Sequence, residues 1–461
     1  MNNVIRPTVS KTAIIRRVGE TKTHSIFFVL DPAIPSWLFI NEDGLDILNL
    51  CNGTYTITQI AQIIADTKHL QPEATLPIVR SFLDDLKNSQ LLSPQPAETA
   101  ATNPFQGIAL EITKQCNLRC LHCYLAAGPA SDRELTFPEI QRVLHAIQNL
   151  GGVSVAVGGG EPLLRGDCLD ILESAASLEL LMSLGTNGTL IDKPLAKRLS
   201  ELPVKIQVSL DGATPQTHDR IRGEGSYELA VRGIDHLLNE GMEKEVLIAF
   251  TPMKLNIHEV PDIIEFAIER HIPVVQFPPL SPSGRARDHW SELKLSDDET
   301  LWFWEYVSKK ADALKGKMDL LADCFSININ NPGVPYRCSI GTQLRVDPNG
   351  DVYPCQCFHF GREYCLGNVR ETSLEHIVHS QRLQQAMDEC FHRPSRIRDC
   401  QACDWRNFCG SGCMGNAYER NGTILSPESC AVRKKFVEAL FDGKLKDILS
   451  REIASSQGEP R

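Results

Sequence analysis

The sequence predicts an α/β protein centred on a partial (β/α)6 barrel, with a small α+β unit before it and a cysteine-rich domain after it. Three observations lead there. Between residues 107 and 290, six short apolar runs alternate with helical stretches, the pattern of a parallel sheet with crossover helices. Ten of the 16 cysteines lie between Cys338 and Cys430 and three more within Cys116 to Cys123, which points to metal ligation rather than scattered buried thiols. The chain has 461 residues, and at about 150 residues per domain this gives roughly three domains. A hydrophobic fraction of 42% with 23% charged residues supplies ordinary globular cores. The net charge of −11 favours neither a nucleic-acid backbone nor an anionic membrane surface. No run approaches the ~20 apolar residues of a membrane span, and Met1-Asn-Asn-Val-Ile-Arg6 lacks a secretory apolar core, so a cytoplasmic location is expected.

Residues 1–95 form the α+β unit. Ser25–Leu30 and Trp37–Ile40 read as strands around the turn Asp31-Pro-Ala-Ile-Pro35. One helix opens near Asp43, a second is expected to be capped by Thr58, and a third carries Leu76, Val79, Phe82, Leu83, Leu86 and Leu91. This order resembles a winged helix. Residues 96–106 make a polar, proline-bearing linker. The barrel spans 107–290, with strands expected at Ile108–Thr113, Val153–Val157, Leu180–Leu184, Val204–Leu210, Glu245–Thr251 and Val274–Phe277. One intervening helix starts at the capping box Thr136-Phe-Pro-Glu139. Functional side chains should gather at the C-terminal strand ends. Residues 291–336 read as a helical bridge whose aromatic patch (Trp302, Phe303, Trp304, Tyr306) packs as core. Residues 337–432 are turn-rich, as expected where metal centres replace an apolar core, and 433–461 form an amphipathic helix and tail.

The first strand runs into Cys116-Asn-Leu-Arg-Cys120-Leu-His-Cys123. Three cysteines so spaced reach three irons of a cubane and leave the fourth open to an exchangeable ligand. A zinc site completed by His122 is the alternative. The spacing resembles the radical S-adenosylmethionine (SAM) superfamily, and further motifs follow in register. Gly158-Gly-Gly-Glu161-Pro162 ends the second strand, Gly185-Thr-Asn-Gly188 the third, Ser209-Leu-Asp211-Gly the fourth, and His218-Asp-Arg-Ile-Arg222-Gly comes next. The resemblance implies that Cys116, Cys120 and Cys123 hold a SAM-binding [4Fe–4S] cluster. It also implies that Gly159, Gly160 and Glu161 contact the methionine amino group and that Asn187 lines the site. Ser209 and Arg222 would bind the carboxylate and ribose, and His122 would lie against the adenine. Reductive cleavage of SAM would then give a 5′-deoxyadenosyl radical that takes a hydrogen atom from an unactivated carbon.

Cys338, eleven residues, Gly350, four residues, Cys355, and later Cys400-x2-Cys403-x5-Cys409-x3-Cys413 with Cys430, resemble the SPASM domain of peptide-modifying radical SAM enzymes. Seven cysteines exceed one zinc site and fall short of two closed ones. The resemblance implies two auxiliary [4Fe–4S] clusters, three clusters in all. Cys338, Cys355 and Cys413 would hold the inner one; Cys400, Cys403, Cys409 and Cys430 would hold the outer. The inner cluster's fourth ligand stays open between Cys324, Cys357 and a substrate thiolate. Cys51, Cys168, Cys365 and Cys390 show no partner pattern, and apolar packing is expected for them.

The first 95 residues resemble the peptide-chaperone (PqqD-like) recognition element of peptide maturases, which takes up a leader peptide by β-augmentation. DNA binding is disfavoured because residues 56–70 offer only Lys68 for phosphate contact, opposed by Asp66. Together the three domains resemble thioether-forming maturases of sactipeptides and ranthipeptides. Gln356 stands where sulfatase maturases carry an acidic general base, which disfavours that activity. The expected function is a radical SAM oxidoreductase that crosslinks a ribosomally made precursor peptide from cysteine sulfur to carbon, reduced by a donor such as flavodoxin or ferredoxin. Carbon–carbon (cyclophane) crosslinking and epimerisation are the enzyme alternatives. A peptide-binding iron–sulfur electron carrier is the alternative of another class.

Overall fold

The computed structural model describes residues 5–21, 23–92, 105–327, 329, 338–359 and 362–456. Three antiparallel strands, β1 (Ile14–Glu20), β2 (Ser25–Asp31) and β3 (Ser36–Ile40), precede the helices Glu42–Leu50, Ile57–Lys68 and Pro72–Asn88. β1 went unanticipated because Ile-Ile-Arg-Arg-Val-Gly-Glu is mostly exposed and lacks a clean alternation. The second helix is capped by Thr56 rather than Thr58. Thr56 and Gln59 satisfy each other's backbone N–H groups reciprocally, which a cap at Thr58 does not offer. β2 is covered on both faces. Val29 packs with Ile47, Ile60, Val79 and Leu86 of the unit's own helices, while Phe28 and Leu30 join the large core of the rest of the molecule.

The central sheet is parallel through β4 (Gly107–Thr113), β5 (Ser154–Gly159), β6 (Leu181–Thr186), β7 (Val204–Ser209), β8 (Val246–Ala249) and β9 (Val274–Phe277), each paired to the next. These are the six expected strands, with ends shifted by a few residues. The sheet extends beyond them. β10 (Asp319–Ala322) adds in parallel to β9, and β11 (Gln343–Val346) adds in parallel to β4, followed by antiparallel β12 (Asp351–Tyr353) and β13 (Gly367–Asn368). Ten strands thus run in the order β10-β9-β8-β7-β6-β5-β4-β11-β12-β13. The bridge expected to be helical therefore supplies a strand, and the cysteine-rich region is welded to the barrel edge. Runs of two to four residues are too short to show a period in sequence.

Helix Asp297–Leu314 starts at the capping box Ser296/Glu299 and buries Phe303, Trp304 and Val307. Its aromatic patch is only half core, since Trp302 is 43% exposed and stacks on Tyr306 at 5.4 Å. Helix Cys430–Ser456 closes the fold, with Val432, Phe436, Val437 and Phe441 buried. Among the described residues no helix is long and apolar enough to cross a membrane.

Candidate active site

The three N-proximal cysteines occupy one loop beyond β4, pinned at its base by Cys116 N–H to the Gly128 carbonyl (2.9 Å). Arg119 donates to the Ala127 carbonyl across it (2.9 Å), and Arg285 donates from Nε to the Cys120 carbonyl (2.9 Å) and from Nη1 to Ala127 (2.7 Å). Each sulfur accepts an N–H. Leu118 N donates to Cys116 Sγ (3.4 Å), Ala127 N to Cys123 Sγ (3.3 Å) and Arg222 Nη1 to Cys120 Sγ (3.9 Å). Donors aimed at sulfur favour thiolates, the form that binds iron. Burial is the main cause that pushes Cys116 up, and Cys120 to about 11, against the pull of the Leu118 N–H on the first and the Arg222 charge on the second.

The glycine loop lies directly on this one. Gly160 N donates to the Thr113 carbonyl (2.8 Å) and Glu161 N to the Gln115 carbonyl (2.7 Å). A Cβ on Gly159 would stand 2.4 Å from the Thr113 carbonyl oxygen, and one on Gly160 2.2 Å from that of Gln115, so a side chain at either would part the two loops. Glu161 is fully buried and accepts from Thr186 Oγ1 (2.8 Å), Asn187 N (2.8 Å) and Leu163 N (3.1 Å). Burial raises its pKa against the pull of those donors. Asn187 reaches the cysteine loop itself, donating to Asn117 Oδ1 (2.9 Å).

Asp211, quoted in the motif but given no role there, is the hub of the far wall. It accepts Arg222 Nε (2.6 Å) and Thr251 N (2.7 Å) and lies 3.3 Å from His122 Nε2. Its own N–H donates to His218 Nδ1 (3.1 Å). Against the upward push of burial, Arg222 and the neighbouring donors hold Asp211 below the ordinary carboxylate value. Burial pushes both His122 and His218 down to about 4. His122 thus turns toward Asp211. Ser209 sits half-buried at the end of β7, and Arg222 closes the helix Pro215–Arg222.

The C-terminal cysteines fall into two groups. The charges of Cys400 and Cys403 act on both Cys409 and Cys430. Cys413 instead neighbours Cys357, Cys338 and Glu428, the last of which accepts its N–H (2.8 Å). The neighbouring Cys355 thiol and burial raise the pKa of Cys357 well above its ordinary value. Cys390, expected to pack among apolar groups, lies against the same apolar cluster as Cys338, and its neighbouring thiol lowers the Cys338 pKa. The helix Gln381–Arg396 carries it there, a neighbourhood sequence spacing does not reveal. Cys51 and Cys168 are buried as expected, and Cys365 is half-buried against the aromatic cluster of Tyr353 and Phe358. The Cys324 side chain lies outside the described residues. Among those residues, no three His, Cys, Asp or Glu side chains are close enough to hold a single metal ion.

A buried polar layer ties the two regions together. Arg345 donates to both oxygens of Glu111 (2.9 and 2.6 Å), Tyr124 Oη donates to Glu111 (3.1 Å), and the Tyr124 ring lies 4.5 Å from that of His359. Tyr124 adjoins Cys123, and His359 lies two residues from Cys357. The short helix Arg285–Asp288 braces the same junction, with Arg285 on the first cysteine loop and Arg287 donating to the Glu419 carbonyl (3.2 Å). Beside it opens a cleft of about 770 Å³, including its mouth, walled by Phe277, Leu280, Trp290, Trp304, Asn416 and Glu428. Asn416 N donates to Cys413 Sγ (3.4 Å), so the cleft adjoins the second cysteine group. Among the described residues, His122 Nδ1 and Arg285 Nη2 are buried without a hydrogen-bond partner, which suits a polar cofactor at this wall. Sequence reading missed Asp211, Arg285, Glu111 and Arg345 as site residues; only Asp211, at a strand end, carried a signal.

Residues 110–267 match the radical SAM superfamily, and residues 338–404 match SPASM, an iron–sulfur cluster-binding domain. The chain therefore has the radical SAM fold with a C-terminal SPASM domain, and SAM and iron–sulfur clusters are the cofactors of this class. It is 27% identical over 313 residues to the mycofactocin maturase MftC of Mycolicibacterium smegmatis, covering 66% of this chain and 76% of that one. It is 29% identical over 355 residues to the AdoMet-dependent heme synthase of Methanosarcina barkeri, covering 71% and 97%. SuiB of Streptococcus suis, solved with S-adenosylmethionine, shares the fold at a TM-score of 0.58 and 17% identity, over 91% of this chain and 98% of that one.

Proposed function

We propose that this chain is a radical SAM maturase that joins a cysteine sulfur to a carbon within a ribosomally made peptide. What carries the reading is the loop of three thiols that each accept an N–H, laid directly against the glycine loop that bears Glu161, on a fold that holds a second group of cysteines beside an apolar cleft. Cys116, Cys120 and Cys123 would hold the SAM-binding cluster, which when bound supplies one-electron cleavage of SAM. The Gly159-Gly160-Glu161 loop would orient the methionine end. Ser209, Arg222 and His122 would hold the carboxylate, ribose and adenine. Buried Asp211, held by Arg222 and Thr251, and Arg285 on the cysteine loop would help keep water from the reacting atoms. Two auxiliary [4Fe–4S] clusters, at the inner and outer cysteine groups, would carry away the surplus electron, and a flavodoxin or ferredoxin would supply the first one.

Among solved relatives, SuiB is also known bound to its precursor peptide SuiA, which supports a peptide substrate. The leader would add as a strand to the N-terminal sheet. There β1 pairs only with β2 among the described residues, and Ile15 and Val18 are exposed. The test is anaerobic reconstitution with SAM, together with mass spectrometry of a peptide encoded beside this gene and co-expressed under low oxygen, its thiols alkylated before analysis. Loss of two hydrogens with one cysteine no longer alkylated establishes the thioether. The same loss with every thiol free establishes carbon–carbon chemistry, and 5′-deoxyadenosine without a mass change points to epimerisation. No 5′-deoxyadenosine at all leaves a peptide-binding electron carrier.

A further inference from the structure

We propose that Arg393 is the buried counter-charge of the auxiliary clusters, a positioning residue that makes them easier to reduce. The proposal rests on the reading of the two C-terminal cysteine groups as cluster sites. Arg222, Arg345, Arg393 and Arg433 are the buried arginines among the described residues. Three of them face a carboxylate, Arg222 with Asp211 (2.6 Å), Arg345 with Glu111 (2.6 Å) and Arg433 with Asp323 (2.8 Å). Arg393, only 1% exposed, is the exception. Its guanidinium donates from Nε to the Ile424 carbonyl (2.6 Å), from Nη1 to that of Gly412 (2.7 Å) and from Nη2 to that of Ser426 (2.6 Å). No carboxylate among the described residues comes within ion-pair distance of it. Glu428 lies against Gly412, but its oxygens are taken up by the Cys413 N–H (2.8 Å), Asn416 Nδ2 (3.0 Å) and Arg433 (3.3 Å). A guanidinium keeps its charge in a protein, and a buried charge with no opposite one is costly. The place calls for an anion that the side chains do not supply.

The carbonyls that Arg393 takes lie on the cysteine-bearing loops. Gly412 stands between Ser411 and Cys413. Ser411 Oγ lies 3.3 Å from Cys400 Sγ of the outer group, and Cys413 Sγ of the inner group accepts Asn416 N (3.4 Å). Ile424 packs in the apolar cluster that Cys338 and Cys355 also join, and Ser426 lies on the segment that leads to Cys430. The guanidinium therefore sits where the loops of the inner and outer groups converge. A cubane held by thiolates is anionic and gains a further negative charge on reduction, so it supplies the missing anion. A fixed cation nearby favours the reduced form and raises the potential. The auxiliary clusters thereby become better acceptors of the surplus electron left when the carbon–sulfur bond forms. A residue that only clamped the two loops would need the donors and not the charge.

The experiment is anaerobic reconstitution of the full chain as wild type, Arg393→Gln, which keeps an amide donor without the charge, and Arg393→Lys, which keeps the charge without the fork of donors. Iron and sulfide are counted per chain, and circular dichroism checks folding. Each midpoint is read from a redox titration followed by electron paramagnetic resonance, with the SAM-binding cluster marked by the change of its signal on adding SAM. In Arg393→Gln an auxiliary midpoint should fall by a roughly tenfold change in the reduced-to-oxidised ratio, ~59 mV for a one-electron couple, while the SAM-binding cluster keeps its wild-type value. Arg393→Lys should hold its auxiliary midpoints close to wild type. Loss of auxiliary iron in Arg393→Gln but not in Arg393→Lys supports the same role for the charge. Wild-type midpoints in Arg393→Gln, or an equal fall or equal loss of iron in both variants, overturns that role and leaves Arg393 as a clamp on the carbonyls. A wild type that holds only the SAM-binding cluster overturns the auxiliary-cluster reading itself and is distinguished by its iron count.

Discussion

Glu161 shows how much one carboxylate does here. Fully buried, it holds the Asn187 N–H, the Thr186 hydroxyl and the Leu163 N–H, so it sets the ends of two strands. Glu161→Ala should weaken SAM binding at least tenfold, measured by equilibrium dialysis, while iron content at Cys116, Cys120 and Cys123 stays at the wild-type level. Unchanged affinity would remove Glu161 from the SAM site. His218 sets a pH dependence. Burial and the nearby Arg222 charge hold it down at about 4, against 6.5 for an ordinary histidine, so it is neutral in the native protein and accepts the Asp211 N–H. The unfolded chain takes up its proton first as pH falls through 6.5. The stabilisation is therefore whole above that pH and drains away toward pH 4, by up to about 3 kcal/mol. His218→Gln, which keeps an acceptor but cannot titrate, should flatten the fall of the urea midpoint between pH 7 and pH 5. The motifs around both residues were legible in the sequence because Glu161 follows the end of one strand and His218 the loop after another; that Asp211 joins His218, His122 and Arg222 was not.

At the scale of elements, the first cysteine loop is held less by β4 than by what leans on it. Gly284 adopts φ +55°, and a Cβ there would stand 2.3 Å from the Tyr124 carbonyl oxygen and 2.4 Å from that of Cys123. Gly284→Ala should lift Arg285 off the loop and loosen the SAM-binding cluster, read as faster bleaching of the iron–sulfur absorbance on exposure to chelator. The buried Arg345–Glu111 pair bonds the SPASM strand β11 to β4. Arg345→Ala strands Glu111 without its partner, and the protein should lose about 3–5 kcal/mol in chemical denaturation. These contacts join residues 234 positions apart, which no local spacing encodes.

For the molecule as a whole, the N-terminal unit is docked rather than tethered. Phe28 and Trp37 stack into Trp405 and Phe441, Arg16 pairs with Asp404, and Asn407 donates to the Pro32 and Ala33 carbonyls. The outer cysteine group lies in this same segment, since Trp405 follows Cys403 by two residues and Phe408 precedes Cys409. Trp37→Ala should cost about 3–5 kcal/mol as a large aromatic leaves a packed contact. Limited proteolysis should then release residues 1–92 sooner than in the wild type, whereas an unchanged digestion pattern would argue for a loosely held unit.

The sequence by itself determined the chemistry at the strand ends and the existence of two cysteine-rich regions, because ligand spacing within one loop and motif order along parallel strands are local properties of the chain. The six barrel strands were legible for the same reason, as apolar runs long enough to show a pattern. Only the tertiary structure decided how the pieces join. β10 to β13 are too short to declare themselves and exist because a long sheet edge awaits them. Cys390 carries no spacing signal and shares an apolar cluster with Cys338 only because a distant helix packs there. How the second cysteine region packs is a matter of which backbones can approach, as at Gly415, where the absence of a side chain leaves room for Cys357.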